Sequence, residues 1–228
     1  MRALVVSGTG TDVGKTVAVA ALAALARDRG LRTAVYKPIQ TGLEAGEPGD
    51  VDVVAGLGGA DVALEGRRLR DPLAPETAAR VAGEPQSTLD GFLADVRGID
   101  ADLVLVEGAG GALVRLGTDL TVLDVAAALD APVVVVTRAG LGTLSDTELT
   151  VREIRRRGLV CAGVLVGSLP AEPDMTARCN LEDLPRLTGV PLLGAVPEGA
   201  GTLAPEAFRA NAPGWFAPGA PTDLRLTS

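Results

Sequence analysis

Gly8-Thr9-Gly10-Thr11-Asp12-Val13-Gly14-Lys15-Thr16 stands between the apolar run Ala3-Leu4-Val5-Val6 and an Ala-rich segment, residues 17–26. A buried-type strand, a Gly-rich turn, Gly-Lys-Thr and then a helix is the arrangement in which backbone N–H groups and a helix N-terminus wrap a phosphate. Gly8, Gly10 and Gly14 can take positive φ and leave room for phosphate oxygens that a Cβ would obstruct. Lys15 supplies a point charge to the terminal phosphates, and the Thr16 hydroxyl is placed to ligate Mg²⁺. Five residues rather than four separate Gly8 from Gly14, a deviant Walker A spacing. The stretch reads as a nucleoside triphosphate site.

Working outward, the composition suits a tightly packed α/β sheet. The chain of 228 residues is 47% hydrophobic but only 2% aromatic, so its core is built from Ala, Val and Leu. One domain over residues 1–228 is expected, with an irregular tail from about 210, where Trp215-Phe216 is the anchor. Apolar runs are strand-sized, so neither a transmembrane segment nor a secretory leader is expected, and the location expected is cytoplasmic. A net charge of −8 argues against nucleic-acid binding. Cys161 and Cys179 are too few for a disulfide framework or a zinc site. Histidine is absent, which removes Ser-His-Asp triads, Cys-His pairs and imidazole metal sites. Catalysis must rest on Lys, carboxylates, hydroxyls and metal.

Further along, residues 15–29 read as helix and Thr33-Ala34-Val35-Tyr36 as a strand, which puts Lys37 of Lys37-Pro38-Ile39-Gln40-Thr41-Gly42 at its C-terminal end. There a side chain points into the ligand crevice of an α/β sheet, although a lysine taken singly is more often a solvated surface group. Asp50 or Asp52 opens a short helix, either as an N-cap or as a Mg²⁺ ligand. Residues 60–76 read as loop and 87–96 as helix. Asp102-Leu103-Val104-Leu105-Val106-Glu107 is a buried strand ending in an acid, the Walker B arrangement, and Gly108-Ala109-Gly110-Gly111 after it permits close ligand approach.

The strand at residues 131–137 leads through Gly140-Leu141-Gly142-Thr143-Leu144 to Ser145-Asp146-Thr147-Glu148, a capping-box pattern. A Gly-rich turn feeding helix N–H groups is a ready anion site. Arg155, Arg156 and Arg157 complement the far end of that helix dipole and read as structural. Strands at residues 159–166 and 192–196 follow. Strands and helices alternate, so the fold class expected is α/β: a mainly parallel sheet with helices on both faces, of the P-loop NTPase architecture.

The phosphate loop, Lys37-Pro38-Ile39-Gln40-Thr41-Gly42, Val106-Glu107-Gly108-Ala109-Gly110-Gly111 and Gly140-Leu141-Gly142-Thr143-Leu144 together resemble the dethiobiotin synthetase family, over roughly residues 3–200. The resemblance implies a Mg²⁺-dependent ligase of biotin biosynthesis. In that family CO₂ or bicarbonate is joined to 7,8-diaminopelargonate, with ATP as co-substrate, and a ureido ring is closed. It implies Lys15 and Lys37 facing phosphate and carbamate, with Thr11 and Thr41 donating hydrogen bonds. Thr16, Asp50 and Glu107 would hold Mg²⁺, with Asp50 preferred to Asp52. Asp12, Val13, Gly14, Lys15, Thr16, Val17, Asp50, Glu107, Gly108, Ala109 and Gly110 would surround the nucleotide. Gly167, Ser168, Pro197, Glu198 and Gly199 would frame its base.

The family is a homodimer, and the resemblance implies that Gly142, Thr143, Leu144 and Ser145 reach the substrate carboxylate of the partner subunit. Many relatives carry Asn at positions 145 and 167. Without that Asn at 167, base selection falls to backbone groups near 167–168 and 197–199, and the preference for ATP over CTP or GTP is left open. Position 12 carries Asp in place of a longer Glu. A Min/Par-type switch ATPase shares the fold and is the alternative. Such proteins carry a second lysine early in the loop, which is missing here, as is a basic amphipathic C-terminal helix. An amidotransferase-linked ligase would need a Cys/His domain.

Overall fold

Alternate residues of the first strand, β1 (Arg2–Gly8), enter different cores: Leu4 and Val6 pack on one side of the sheet and Val5 on the other. The same period of two divides β2 (Thr33–Thr41) and β4 (Leu103–Gly111), with β3 (Val62–Leu69) lying between them in sequence. The computed structural model describes residues 2–217, so the expected tail beyond 217 lies outside the described residues.

Among the described residues a small antiparallel pair, β5 (Arg115–Gly117) and β6 (Leu120–Thr121), precedes β7 (Val133–Thr137), β8 (Cys161–Leu169) and β9 (Leu192–Pro197). The main sheet is seven-stranded, in the order β3-β2-β4-β1-β7-β8-β9, and its pairings are parallel. One face is covered by α1 (Lys15–Asp28), α2 (Asp50–Gly58) and, far along the chain, α8 (Pro205–Asn211). The other face is covered by α3 (Pro75–Val81), α4 (Leu89–Arg97), α5 (Val122–Ala128), α6 (Thr143–Arg156) and α7 (Met175–Thr188). This is the α/β layering expected of strands alternating with helices, and the loops at the C-terminal ends of the strands gather on one edge.

Four local expectations need correction. Residues 60–76 are not loop throughout, because residues 62–69 form β3, which pairs in parallel with β2 from Ala34↔Val62 to Thr41↔Leu69, and the loop after it is confined to about 70–74. As an edge strand bearing Glu65, Arg67 and Arg68, β3 lacks the apolar run by which a buried strand is recognised. The helix after residue 142 starts at Thr143, with Gly142 as N-cap at φ 92°, so the 145–148 capping-box pattern lies inside its first turns. Asp50 and Asp52 are not N-caps either. Gly49 is, and the Asp52 carboxylate accepts from the Gly49 N–H at 2.7 Å.

The segment after residue 210 is ordered through Ala217. Helix α8 runs to Asn211, a 3₁₀ turn covers Ala212–Trp215, and Trp215 meets Phe208 edge to face at 5.0 Å. The expected anchoring by Trp215-Phe216 is present, since Phe216 also forms an antiparallel bridge to Gly194 of β9.

Close packing of α1 on α2 depends on Gly58, where a Cβ would overlap the Ala20 carbonyl oxygen. Gly58→Ala is expected to cost about 1–3 kcal/mol of stability through overpacking. Gly56→Ala in the same helix meets nothing within 4 Å and is expected to be neutral or to add about 0.5–1 kcal/mol. Thermal unfolding of the two variants side by side checks the contrast.

Candidate functional site

Lys37 follows Val35 by two residues and Glu107 follows Leu105 by two, and Val35 and Leu105 both belong to the α1 face. Both ionisable side chains therefore project towards α1 and α2. There they meet Thr16 in the first turn of α1 and Asp50 at the start of α2. Lys37 Nζ lies 2.9 Å from Glu107 Oε1 and 2.5 Å from Asp50 Oδ2, and it donates to the Gly108 carbonyl at 3.3 Å. The Thr16 hydroxyl donates to the same Glu107 Oε1 at 3.0 Å.

Lys37 is within β2 rather than at its end, as the sequence had suggested. Pairing of β2 with β4 stops at Tyr36↔Val106 while pairing with β3 continues, and this opens the sheet at Lys37. Pro38, which has no N–H to give a ladder, comes directly after.

The phosphate loop is braced from within. Gly14 takes φ 87° and Asp12 φ 57°, whereas Gly8 and Gly10 keep ordinary φ, so one of the three glycines uses the left-handed region. Gly8 is needed for space: a Cβ there would sit 2.8 Å from the Gly10 carbonyl oxygen and 3.0 Å from Lys15 Nζ. Lys15 Nζ donates to that same Gly10 carbonyl at 2.8 Å.

Charge and burial set the electrostatics. Burial pushes Glu107 upwards from the ordinary carboxylate range, against the pull of Lys37 and with the Asp50 charge adding to it. Burial acts in the same direction on Asp50, but there the Lys37 charge and hydrogen bond outweigh it and hold Asp50 below its usual value. Burial works to lower Lys37, yet the charges of Glu107 and then Asp50 leave it above an ordinary lysine. Burial and the nearby Lys37 charge lower Lys15. Two carboxylates thus share one ammonium, and they are pushed in opposite directions.

These groups line one cavity of about 720 Å³. Thr11, Asp12, Gly14, Lys15, Thr16, Val17, Lys37, Thr41, Asp50, Glu107, Ala109 and Gly110 are all at its wall. Asp52 is not, being turned to its cap. Gly108 lies behind the wall against Lys37, and Val13 is buried beneath the loop.

Gly167, Ser168, Pro197, Glu198 and Gly199 sit apart from that wall as one cluster. The Glu198 N–H donates to the Leu169 carbonyl at 2.8 Å, and any Cβ at Gly167 would overlap the Val13 carbonyl oxygen. The β8 end therefore rests on the phosphate loop itself. Gly142, Thr143, Leu144 and Ser145 do not reach the cavity within this chain.

Sequence reasoning missed several wall residues. Gln40 bridges the strand end to α2, accepting from the Asp50 N–H at 3.1 Å and donating to the Thr41 carbonyl at 3.2 Å. Outside the wall, Arg68 on β3 clamps the Glu44 and Glu47 carbonyls of the loop before α2 at 2.9 and 2.6 Å. Pro72, Leu73, Ala74 and Pro75 close the cavity from the loop after β3. Recognising residues 62–69 as a strand was the signal needed, because its C-terminal loop then falls on the ligand edge.

The residues fit a bound Mg²⁺. Two carboxylates and a hydroxyl are hard oxygen donors, and Glu107 Oε2 is buried with no hydrogen-bond partner among the described residues. No group of three or more His, Cys, Asp or Glu that could hold a metal is found among the described residues. Phosphate oxygens or water would complete such a site.

A family described as AAA domain matches residues 2–206. A Rhodococcus jostii protein named ATP-dependent dethiobiotin synthetase is 55% identical over 219 residues, 95% of either chain. Proteins of the same name from Streptomyces avermitilis and a Parafrankia species are 55% and 57% identical, over 96% and 89% of this chain and 93% and 87% of theirs. Among solved structures, the septum site-determining protein MinD of Pyrococcus horikoshii, complexed with Mg-ADP, aligns with 92% of this chain and 94% of its own, at TM-score 0.55 and 19% identity. MinD of Aquifex aeolicus aligns at TM-score 0.58 and 12% identity, over 93% of this chain and 87% of its own. At such identities the likeness is one of fold.

Proposed function

Since the chain belongs to the ATP-dependent dethiobiotin synthetase family, ligases that form the C–N bonds of a ureido ring, we propose that it converts 7,8-diaminopelargonate, CO₂ and a nucleoside triphosphate into dethiobiotin, nucleoside diphosphate and phosphate. The observation that carries this reading is the Lys37–Glu107–Asp50–Thr16 cluster, set under the phosphate loop in one cavity.

The reaction has three bond-forming steps. One substrate amine adds to CO₂ and loses a proton to give a carbamate. A carbamate oxygen attacks the γ-phosphorus and the nucleoside diphosphate leaves. The second amine then attacks the carbonyl carbon, expels phosphate, loses its proton and closes the ring. The first step creates an anion, the second brings it against the triphosphate and the third releases phosphate, so the ammonium groups of Lys15 and Lys37 stabilise negative charge that builds up in the transition states. Thr11 and Thr41, both at the cavity wall, orient the carbamate and amine as hydrogen-bond donors. Thr16, Asp50 and Glu107 would hold Mg²⁺, which supplies charge neutralisation at the phosphates.

A homodimer in the cytoplasm belongs to the same proposal, with residues 142–145 serving the partner's substrate carboxylate. Leu141, 94% exposed, and the exposed Leu113 and Leu149 support an interface on this side. No helix among the described residues is long and apolar enough to cross a membrane. The Min-type switch reading is not favoured, since the 55% relatives carry the synthetase name and the MinD likeness is limited to fold.

Phosphate release from Mg-ATP, with and without 7,8-diaminopelargonate plus bicarbonate, tests the proposal, with product mass recorded and CTP and GTP run in parallel. Release that needs both additions and yields dethiobiotin is expected. Slow hydrolysis indifferent to both, with every nucleotide, would overturn the synthetase reading for this chain.

A further inference from the structure

A buried polar network that none of the chemistry above uses holds the turn at the start of α6. Thr137 ends β7, and its hydroxyl lies 2.6 Å from that of Thr143, 2.8 Å from that of Thr147 and 3.3 Å from that of Thr9 in the phosphate loop. The proton order follows from the hydroxyl inventory. Thr147 spends its one proton on the Thr143 carbonyl, at 2.6 Å. Thr137 must therefore donate to Thr147, and Thr143 and Thr9 donate to Thr137.

From the other side Asn180, a buried residue of α7, donates from Nδ2 to the Ala139 and Gly140 carbonyls at 2.8 and 3.0 Å. Two carbonyl acceptors leave the amide one workable orientation, with its NH₂ facing the turn.

The turn so held, residues 139–143, leads through Gly142 at φ 92° into the N-terminus of α6. An exposed Gly-rich turn has many conformations to lose. Here its two flanks are tied to the sheet and to α7 by groups that would otherwise be buried without partners.

We infer that Asn180 and Thr137 are positioning residues for the substrate-carboxylate turn, presetting its N–H groups without touching substrate. Through Thr9 the same network also reaches the phosphate loop, by a longer contact of 3.3 Å. The inference rests on the proposal that residues 142–145 take the substrate carboxylate.

Its test is a comparison of steady-state constants in the full chain. Asn180→Asp removes both donors and sets a carboxylate against two carbonyls, and Thr137→Val keeps the shape but strands the Thr143 and Thr9 protons. Each is expected to raise the KM for 7,8-diaminopelargonate at least tenfold, with kcat and the nucleotide KM within twofold. Thr137→Ser, which keeps the hydroxyl, should stay within twofold of the parent in every constant. An unchanged amine KM in folded Asn180→Asp or Thr137→Val, or an equal loss in all constants, overturns the inference. Gly142→Val, strained at φ 92°, separates the two failures. If its amine KM is also unchanged, the turn does not take the substrate. If its KM rises while that of Asn180→Asp does not, the turn stands and the positioning role falls. Should Asn180→Asp fail to fold, the Thr137→Val and Thr137→Ser pair decides.

Discussion

Lys37→Ala is expected to lose roughly a thousandfold in kcat, the scale on which a preorganised charge in a transition state acts, while nucleotide affinity stays within a few-fold. The reason is where Lys37 stands. The residue is 5% exposed, and its ammonium sits beside the phosphate loop with two carboxylates as partners. Charge that develops as carbamate meets γ-phosphate finds it already desolvated, whereas the ground-state triphosphate has the loop N–H groups and Lys15 to hold it. The same variant leaves Glu107, 1% exposed, without its cation. Breaking such a buried pair costs about 3–5 kcal/mol, so a fall in Tm is expected alongside the loss of rate. Calorimetric titration with nucleotide, single-turnover rates and thermal unfolding separate the effects. Near-normal turnover in a folded Lys37→Ala would remove Lys37 from the mechanism.

Glu107→Gln is expected to raise the Mg²⁺ concentration for half-maximal activity at least tenfold, comparable to or larger than the roughly 10- to 100-fold cost of disturbing a partner of a metal ligand. The substitution keeps side-chain volume and leaves Lys37 paired with Asp50 at 2.5 Å, so global stability should change less than in Lys37→Ala. It removes the negative charge that a hard dication needs, together with Oε2, buried and unpartnered in the described structure. A Mg²⁺ titration of activity, and Mg²⁺ binding measured by calorimetry with a non-hydrolysable nucleotide, report the change independently. An unchanged curve in both would exclude Glu107 as a ligand.

Legibility in the sequence followed how locally each feature is determined. The phosphate loop could be read from nine consecutive residues because strand, turn and helix N-terminus are adjacent in the chain. The buried strands β1, β4 and β7 announced themselves by unbroken apolar runs, as strands covered on both faces do. Edge strand β3 did not, since one side of it is open to solvent and its charged residues mask the period. The start of α6 was misplaced by three residues because Ser145 and Glu148 match a capping box that the Gly142 turn makes unnecessary.

Residue types and their order along the chain were enough to identify an α/β nucleotide fold, its phosphate loop and the family it belongs to, because each motif is a short segment with its own backbone geometry. What they left open was whether Asp50 or Asp52 turns to the site. Asp52 lies two residues from Asp50 and is the same chemical group, yet one caps Gly49 and the other touches the lysine. That choice depends on the angle at which α2 leaves its loop, set by Gln40 and by Arg68 on a neighbouring strand. Likewise Lys37 and Glu107, 70 residues apart, face each other because strand order β2-β4-β1 and side-chain alternation bring them to one face. Long-range pairing of this kind is paid for by the whole buried sheet, so no single segment carries a record of it.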